Sequence, residues 1–155
     1  MSRVYTVTFT PTAVTTQVDL FEIQPADDKP VRLLALFLGQ TTELGDAAEE
    51  QLAIQIIRGH STTGSGGSSP TPAPLNPADS AAGFVAEVLN TTVASAGTGV
   101  TLFADSWNVR AGYPLIFTPE MQPVASQANT TIVVRLATTP ADSITITGTL
   151  VVEEF

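Results

Sequence analysis

The residues best suited to chemistry stand where an alternating stretch, QLAIQIIRGH, gives way to STTGSGGSSPTP. His60 and Ser61 are neighbours there, within the segment GHSTTG. A histidine next to a serine could act as its base. The serine-hydrolase elbow, however, has one residue fewer between its glycines and joins a strand to a helix. We therefore interpret His60 as a polar residue at the point where a strand meets its loop.

Acidic pairs and a glycine run are the next candidates for a site. The pairs are Asp27/Asp28, Glu49/Glu50 and Glu153/Glu154. Neighbours on a strand point to opposite faces, so such pairs do not form an acid–base couple. The run GSGG is followed by prolines rather than by the helix and lysine of a phosphate-binding loop. The chain has no cysteine and one histidine, so zinc and iron–sulfur sites lack ligands. The sequence predicts no enzyme, no metal and no cofactor.

Surface contact is the chemistry that remains. Trp107 and Tyr113 bracket the turn NVRAG, which contains Arg110. Aromatic residues near an arginine at a strand end are typical of an interface anchor or, less commonly, of a sugar-stacking platform. The alternative is that Trp107 caps the core at the end of a sandwich. Leu75 is the apolar residue in the proline-rich stretch, and we take these four residues as the candidate interface.

Alternating strands must position these residues. Tyr5, Val7 and Phe9 share one face of a first strand, which we expect Pro11 to end. The run VRLLALFLG is apolar on both faces apart from Arg32, which predicts a central strand covered on both sides. Short helical turns are expected only at Asp46 in TTELGDAAEE and at Asn76-Pro77.

The second half of the chain repeats this pattern of short strands and turns. Its strands are GFVAEV, VTLFADSW, YPLIFTPE, TTIVVRLA and SITITGTLVVEE. Helices of crossover length are missing, so the sheets should be antiparallel. The sequence therefore predicts one all-β domain over 1–155, a jelly-roll-like antiparallel two-sheet sandwich of about eight to nine strands. Residues 61–80 form one long Gly/Ser/Pro loop in it, and its stiff proline part could contact a neighbouring subunit.

Charge and hydropathy exclude several kinds of partner. The chain carries 15 acidic and six basic side chains, a net charge of −9, and the basic residues form no cluster. Nucleic acid and anionic membranes are therefore not expected partners. The sequence contains no signal peptide of ordinary form and no apolar run near the roughly 20 residues that cross a bilayer. Only 14% of residues are charged, which favours surfaces that contact other subunits.

Several blocks together resemble a known family. They are VRLLALFLGQTTELGDAAEEQLAIQIIRGHSTTGSGGSSPTP, GFVAEVLNTTVASAGT, GYPLIFTPE and IVVRLATTPADSITITGTLVVEEF. From about Val31 to its end the chain is similar to the head decoration, or cement, proteins of tailed bacteriophages. The likeness lies in strand–turn blocks and includes no catalytic signature.

The resemblance implies a structural virion protein made in the host cytoplasm. Such a protein would form a homotrimer, bind the major capsid protein on the outer surface of the phage head and stabilise it. The alternative is a jelly-roll binding module of a phage fibre or baseplate that recognises host-surface glycans through Trp107. The sequence ends in a strand without an extended attachment segment, which favours the cement protein.

Overall fold

Strands supply nearly all of the regular structure. The computed structural model describes residues 2–41, 50–126 and 130–155. Its strands are β1 (Arg3–Val14), β2 (Val18–Gln24), β3 (Val31–Gln40), β4 (Gln51–His60), β5 (Ala73–Pro74), β6 (Val85–Asn90), β7 (Val100–Asn108), β8 (Tyr113–Ile116), β9 (Val124–Ala125), β10 (Thr131–Leu136) and β11 (Ile144–Glu154). One 3-10 turn spans Pro119–Met121. Within these ranges no helix is long and apolar enough to cross a membrane.

The strands form two antiparallel sheets. Sheet A has the order β5-β1-β11-β3-β8, with β9 also pairing with β3, and sheet B has the order β6-β2-β10-β4-β7. The long pairings are nested, since β1 pairs with β11, β2 with β10, β3 with β8 and β4 with β7. This is the jelly-roll arrangement, in which a long hairpin folds over into two sheets. The predicted antiparallel sandwich is confirmed, and β5, β6 and β9 are additions to its eight main strands.

The core lies between the two sheets and is built from alternate residues of each strand. In β11 the alternate residues Ile144, Ile146, Leu150 and Val152 are all buried. Tyr5 packs edge-on against Phe84 at 5.5 Å between ring centroids. Burying one such side chain contributes about 1.5–3 kcal/mol to the stability of the fold.

Pro11 does not end the first strand, and that prediction is wrong. β1 continues to Val14, and its register with β11 shifts between Phe9 and Thr12. On its other side β1 pairs only at Tyr5 and Thr6, with the two residues of β5. Proline lacks an amide hydrogen, and a bulge on an otherwise unpaired edge is where a strand tolerates it.

The strand covered on both faces is also not the predicted one. β3 lies centrally in sheet A, but its outer face is open, and the Phe37 side chain is 40% exposed. The doubly covered strands are β2 and β10, in which residues 18–23 and 131–136 are all buried. β2 contains Asp19 and Glu22, and β10 contains Arg135. Such charged residues do not predict a strand that is buried on both faces. The charges are tolerated because they pair, as described below.

The two predicted helical turns have different outcomes. Asp46 falls outside the described residues. Asn76 does cap a single turn: its Oδ1 accepts a hydrogen bond from the Ala78 amide, and its carbonyl accepts one from the Asp79 amide. A proline after the cap leaves no donor to be satisfied at that position.

Candidate interaction surfaces

Two loop segments cover the outer face of sheet B. We call them the loop layer and define it as residues 61–68 and 91–96. The segments run antiparallel and join through the bridge Thr62–Ser95 and the bridge Ser65–Thr92. Ile57, Ala94 and Val133 form a small second apolar cluster. The first half of the predicted long loop is therefore part of the packed molecule.

A buried ion pair ties the 91–96 segment to the sheet. Arg135 Nε donates to Asp19 Oδ1 at 2.6 Å, and its Nη2 donates to Asp19 Oδ2 at 3.2 Å. The same carboxylate accepts from the Ala94 amide at 2.7 Å, and Arg135 Nη2 also donates to the Ala94 carbonyl at 2.9 Å. Ala94 is thus held by both of its backbone groups. Pairing of this completeness is what allows two charges to be buried.

A second polar group ties down the 61–68 segment. Glu22 Oε2 accepts from the Gly64 amide at 2.9 Å and from Asn90 Nδ2 at 3.3 Å. Asn90 Oδ1 in turn accepts from the Gly67 amide at 3.2 Å. Burial raises the pKa of the Glu22 carboxyl above its usual range, and the charge of Glu87, its cross-strand neighbour, adds to the effect.

Close backbone approach explains one glycine of the loop layer. A Cβ at Gly67 would lie 2.0 Å from the carbonyl oxygen of Val88. Ser68, the next residue, exchanges both backbone hydrogen bonds with Val88. Only a residue without a side chain lets the loop approach β6 this closely. Gly67 thus serves the packing of the loop layer.

His60 takes part in the same bracing. Its Nδ1 lies 3.1 Å from the Ala96 carbonyl oxygen, which can only accept, so Nδ1 carries the proton and donates. Its own carbonyl accepts from the Thr131 hydroxyl at 3.2 Å. The ring therefore connects the end of β4 to the loop layer.

Among residues 2–41, 50–126 and 130–155, no group of three or more His, Asp or Glu side chains is placed to hold a metal ion.

The four residues expected at an interface fall into two places. Trp107 is buried, and its indole Nε1 donates to the Ala111 carbonyl at 2.7 Å, so its ring closes the end of the core. Tyr113 donates its hydroxyl to Asp105 Oδ2 at 3.0 Å, which joins β8 to β7. Burial and this hydrogen bond raise the pKa of Tyr113. Arg110 is exposed in the turn between the two strands.

Leu75 lies at the opposite edge of sheet A. It follows β5, its side chain is 61% exposed, and its amide donates to the Val4 carbonyl at 2.9 Å. Three strands separate β5 from β8, so the two edges are roughly 19 Å apart. The structure therefore brings Arg110 and Tyr113 to one edge and leaves Leu75 at the other.

The outer face of sheet A is the largest candidate surface, and the sequence analysis missed it. We call it the uncharged face. Its members come from β1, β11, β3 and β8 in register: Thr6, Thr8, Thr147, Thr149, Val151, Ala35, Phe37, Pro114 and Ile116. Ile116 is 71% exposed. The face measures roughly 20 Å by 20 Å. Alternating threonines in β1 and β11 were the signal that could have identified it.

In the described strands of sheet A, charged side chains lie at one end of this face. Arg32 and Glu153 form an ion pair there, and the Arg32 guanidinium lies over the Phe155 ring at 4.6 Å from its centroid. Hydrogen bonding to Arg32 holds the pKa of the Glu153 carboxyl below its usual range. These groups already have partners, so the surface offers a neighbour mainly methyl groups, hydroxyls and a phenyl ring.

Comparison of the chain with protein-family models, with curated proteins and with solved structures gives no match.

Proposed function

We propose that this protein is a capsid decoration protein, which binds the outside of a phage head as a homotrimer and stabilises it. The observation that carries the proposal is the uncharged face of sheet A. The family resemblance of the strand–turn blocks supports it independently.

An uncharged face of this kind suits a permanent contact. Interface centres are depleted of charged residues, because each charge costs desolvation energy on binding. Phe37 and Ile116 add apolar area that water currently covers. Burying a side chain of that type stabilises a complex by about 1.5–3 kcal/mol if its full area is removed from water.

The opposite side of the molecule has a different character. The loop layer presents mainly hydroxyl and backbone groups outward, and Thr62, Thr63 and Ser65 are exposed. A polar outer side and an uncharged inner side are what a protein on the surface of a shell needs. We therefore orient the molecule with sheet A on the shell and the loop layer in solvent.

The two edges of sheet A provide the trimer contact in this proposal. A ring of three requires two different patches on each subunit, one of which meets the other on the next copy. The Leu75 edge and the edge that carries Arg110 and Tyr113 are two such patches. Contact between them would leave the uncharged face free for the capsid protein.

No observation favours the glycan-binding alternative. Its platform was to be Trp107, whose ring is buried and whose indole N–H is already bonded within the chain. A sugar cannot stack on that ring without opening the end of the core.

The test is co-sedimentation of the protein with purified heads of the encoding phage from which the protein has been left out. Ile116→Lys should abolish binding, because it places a charge within the contact. Val85→Lys is the matched control, since Val85 is a similarly exposed β-branched residue on sheet B. Equal binding by both variants would refute the assignment of sheet A, and no binding by the wild-type protein would refute the function.

A further inference from the structure

The free edge of β7 is the longest open strand edge in the part of the chain that the structure describes. β7 pairs with β4 on one side, from Val100 to Asn108, and no described strand pairs with its other side. The outer edge of β6 is bridged by Ser68, and β8 is only four residues long. β5 pairs with β1 at Tyr5 and Thr6, and the stretch of β1 that stays open beyond them is shorter than β7 and is interrupted by Pro11. Unpaired N–H and C=O groups on such an edge are a template for an added strand.

A cleft lies beside this edge, between the two sheets. It holds about 430 Å³, and its apolar walls are formed by Leu102, Phe103, Phe117 and Met121. The Phe103 and Phe117 rings meet edge-on at 5.9 Å between centroids. Because side chains alternate along a strand, every second residue of an added strand would point into this cleft.

Charge at the edge selects the partner. Asp105 stands two residues after Phe103 on the same face of β7, where its carboxylate accepts from the Tyr113 hydroxyl and the Ser106 amide, both neutral donors. Glu120 lines the cleft. Arg58 also lines it, with its Nη1 donating to the Val124 carbonyl at 2.7 Å, and its charge opposes that of Glu120. The selection for a cation therefore rests on Asp105. A second copy of β7 would bring another Asp105 into the cleft region, and each chain carries a net charge of −9. Like charges opposite one another destabilise strand pairing, whereas a cation would be favoured.

We propose that the β7 edge binds an extended segment of another protein by strand addition. The segment carries an apolar side chain, which enters the cleft beside Phe103, and a basic side chain two positions away, which meets Asp105. Main-chain hydrogen bonds supply affinity, and the apolar and basic side chains supply specificity. The inference goes beyond shell binding and does not depend on it, since it uses sheet B and not the uncharged face.

The test uses a synthetic threonine-rich peptide as long as β7, nine residues, with one leucine and one arginine two positions apart. Backbone amide shifts in the NMR spectrum should change along residues 100–108 on titration. Replacing the peptide arginine with glutamate should weaken binding by about threefold or more. Asp105→Asn should remove that preference while the protein still binds the peptide.

Strand addition leaves a signature that ordinary adhesion does not. N-methylation of alternate peptide amides on one side should abolish binding, and methylation on the other side should be tolerated, because only one set of amides faces β7. Tolerance of both, or shift changes away from β7, would overturn the proposal.

A variant of the protein distinguishes binding of another protein at the β7 edge from pairing of two copies of this chain. Ala104→Lys adds a charge to the edge and should reduce peptide binding, while Val85→Lys on the opposite edge of sheet B should not. If Ala104→Lys instead breaks up an oligomer that the wild-type protein forms, a second copy occupies this edge and the proposal is wrong.

Discussion

At the scale of residues, two buried carboxylates hold the loop layer in place. Asp19 and Glu22 lie on β2 and accept backbone amides from opposite segments of that layer. The two carboxylates differ in the charge of their partners. Asp19 pairs with the cation Arg135, whereas Glu22 accepts hydrogen bonds only from neutral donors. The difference leads to two separate predictions.

Removing the cation should be costly. Arg135→Ala leaves Asp19 charged and buried without its partner, which should lower the free energy of unfolding by about 3–5 kcal/mol. Urea denaturation measures the change. The matched control is Arg32→Ala at the partly exposed pair with Glu153, where a much smaller loss is expected. Equal losses in the two variants would contradict the role given to Arg135.

Glu22 should make stability depend on pH in the opposite sense from an ordinary paired carboxylate. Its folded pKa is raised above the usual value near 4.5, so the folded state binds the proton more tightly than the unfolded state. The stabilisation is complete below that value and is lost as pH rises through the folded pKa. Glu22→Gln keeps the hydrogen bonds without the charge.

As pH rises from about 4.5 through the folded pKa of Glu22, the wild-type protein should lose stability that Glu22→Gln keeps. The free energy of unfolding of the variant should therefore increase relative to that of the wild-type protein. Denaturation at a series of pH values measures it. A difference that does not change with pH would show that the Glu22 carboxyl titrates alike in both states.

These ties could not be predicted from the sequence. Arg135 follows Asp19 by 116 positions, and no sequence motif predicts that the two residues pair. Alternation does find the inward positions of β11, because one period-two pattern determines them. It fails for β2, where burial on both sides depends on a loop more than 40 positions away.

At the scale of elements, the loop layer covers the outer face of the central strands of sheet B, whereas the outer face of sheet A stays open. This explains why the apolar run of β3 misled the sequence analysis. An apolar outer face predicts that the strand is buried on that side, but the surface that buries it can belong to another protein chain. Phe37 marks such a position, and Val133, beneath the loop layer, is its covered counterpart.

Close packing of the loop layer predicts a sharp contrast between two glycines. Gly67→Ala should lower the free energy of unfolding by about 1–3 kcal/mol, because its Cβ would overlap the Val88 carbonyl. Gly112→Ala is the control, since its Cβ would meet its nearest atom, the Leu38 carbonyl oxygen, at 4.0 Å.

Thermal melts compare the two glycine variants, and hydrogen exchange shows whether amides around residues 88–95 lose protection in Gly67→Ala. If both variants melted alike, the loop layer would be less tightly packed than its geometry indicates.

At the scale of the whole molecule, the proposed trimer fixes a mass. Sedimentation equilibrium should give about 49 kDa, three times the 16.2 kDa chain. Leu75→Asp should shift this toward the monomer, because a heterologous ring loses every contact when one patch is altered. Leu102→Asp, at an exposed leucine of sheet B, is the control and should leave the mass unchanged. A wild-type mass of 16.2 kDa at all concentrations would contradict the trimer.

The nested strand order also determines the order in which the strands can pair during folding. Arg3 is aligned with Glu154, so β1 finds its long partner only after the residues of β11 have been made. β11 also stands between β1 and β3 in sheet A, so β1 cannot be joined to β3 before it arrives, although β3 can already pair with β8 and β9. Contacts between such distant positions form slowly. During synthesis β1 must therefore remain without its long partner, with its apolar face exposed to chaperones or to aggregation.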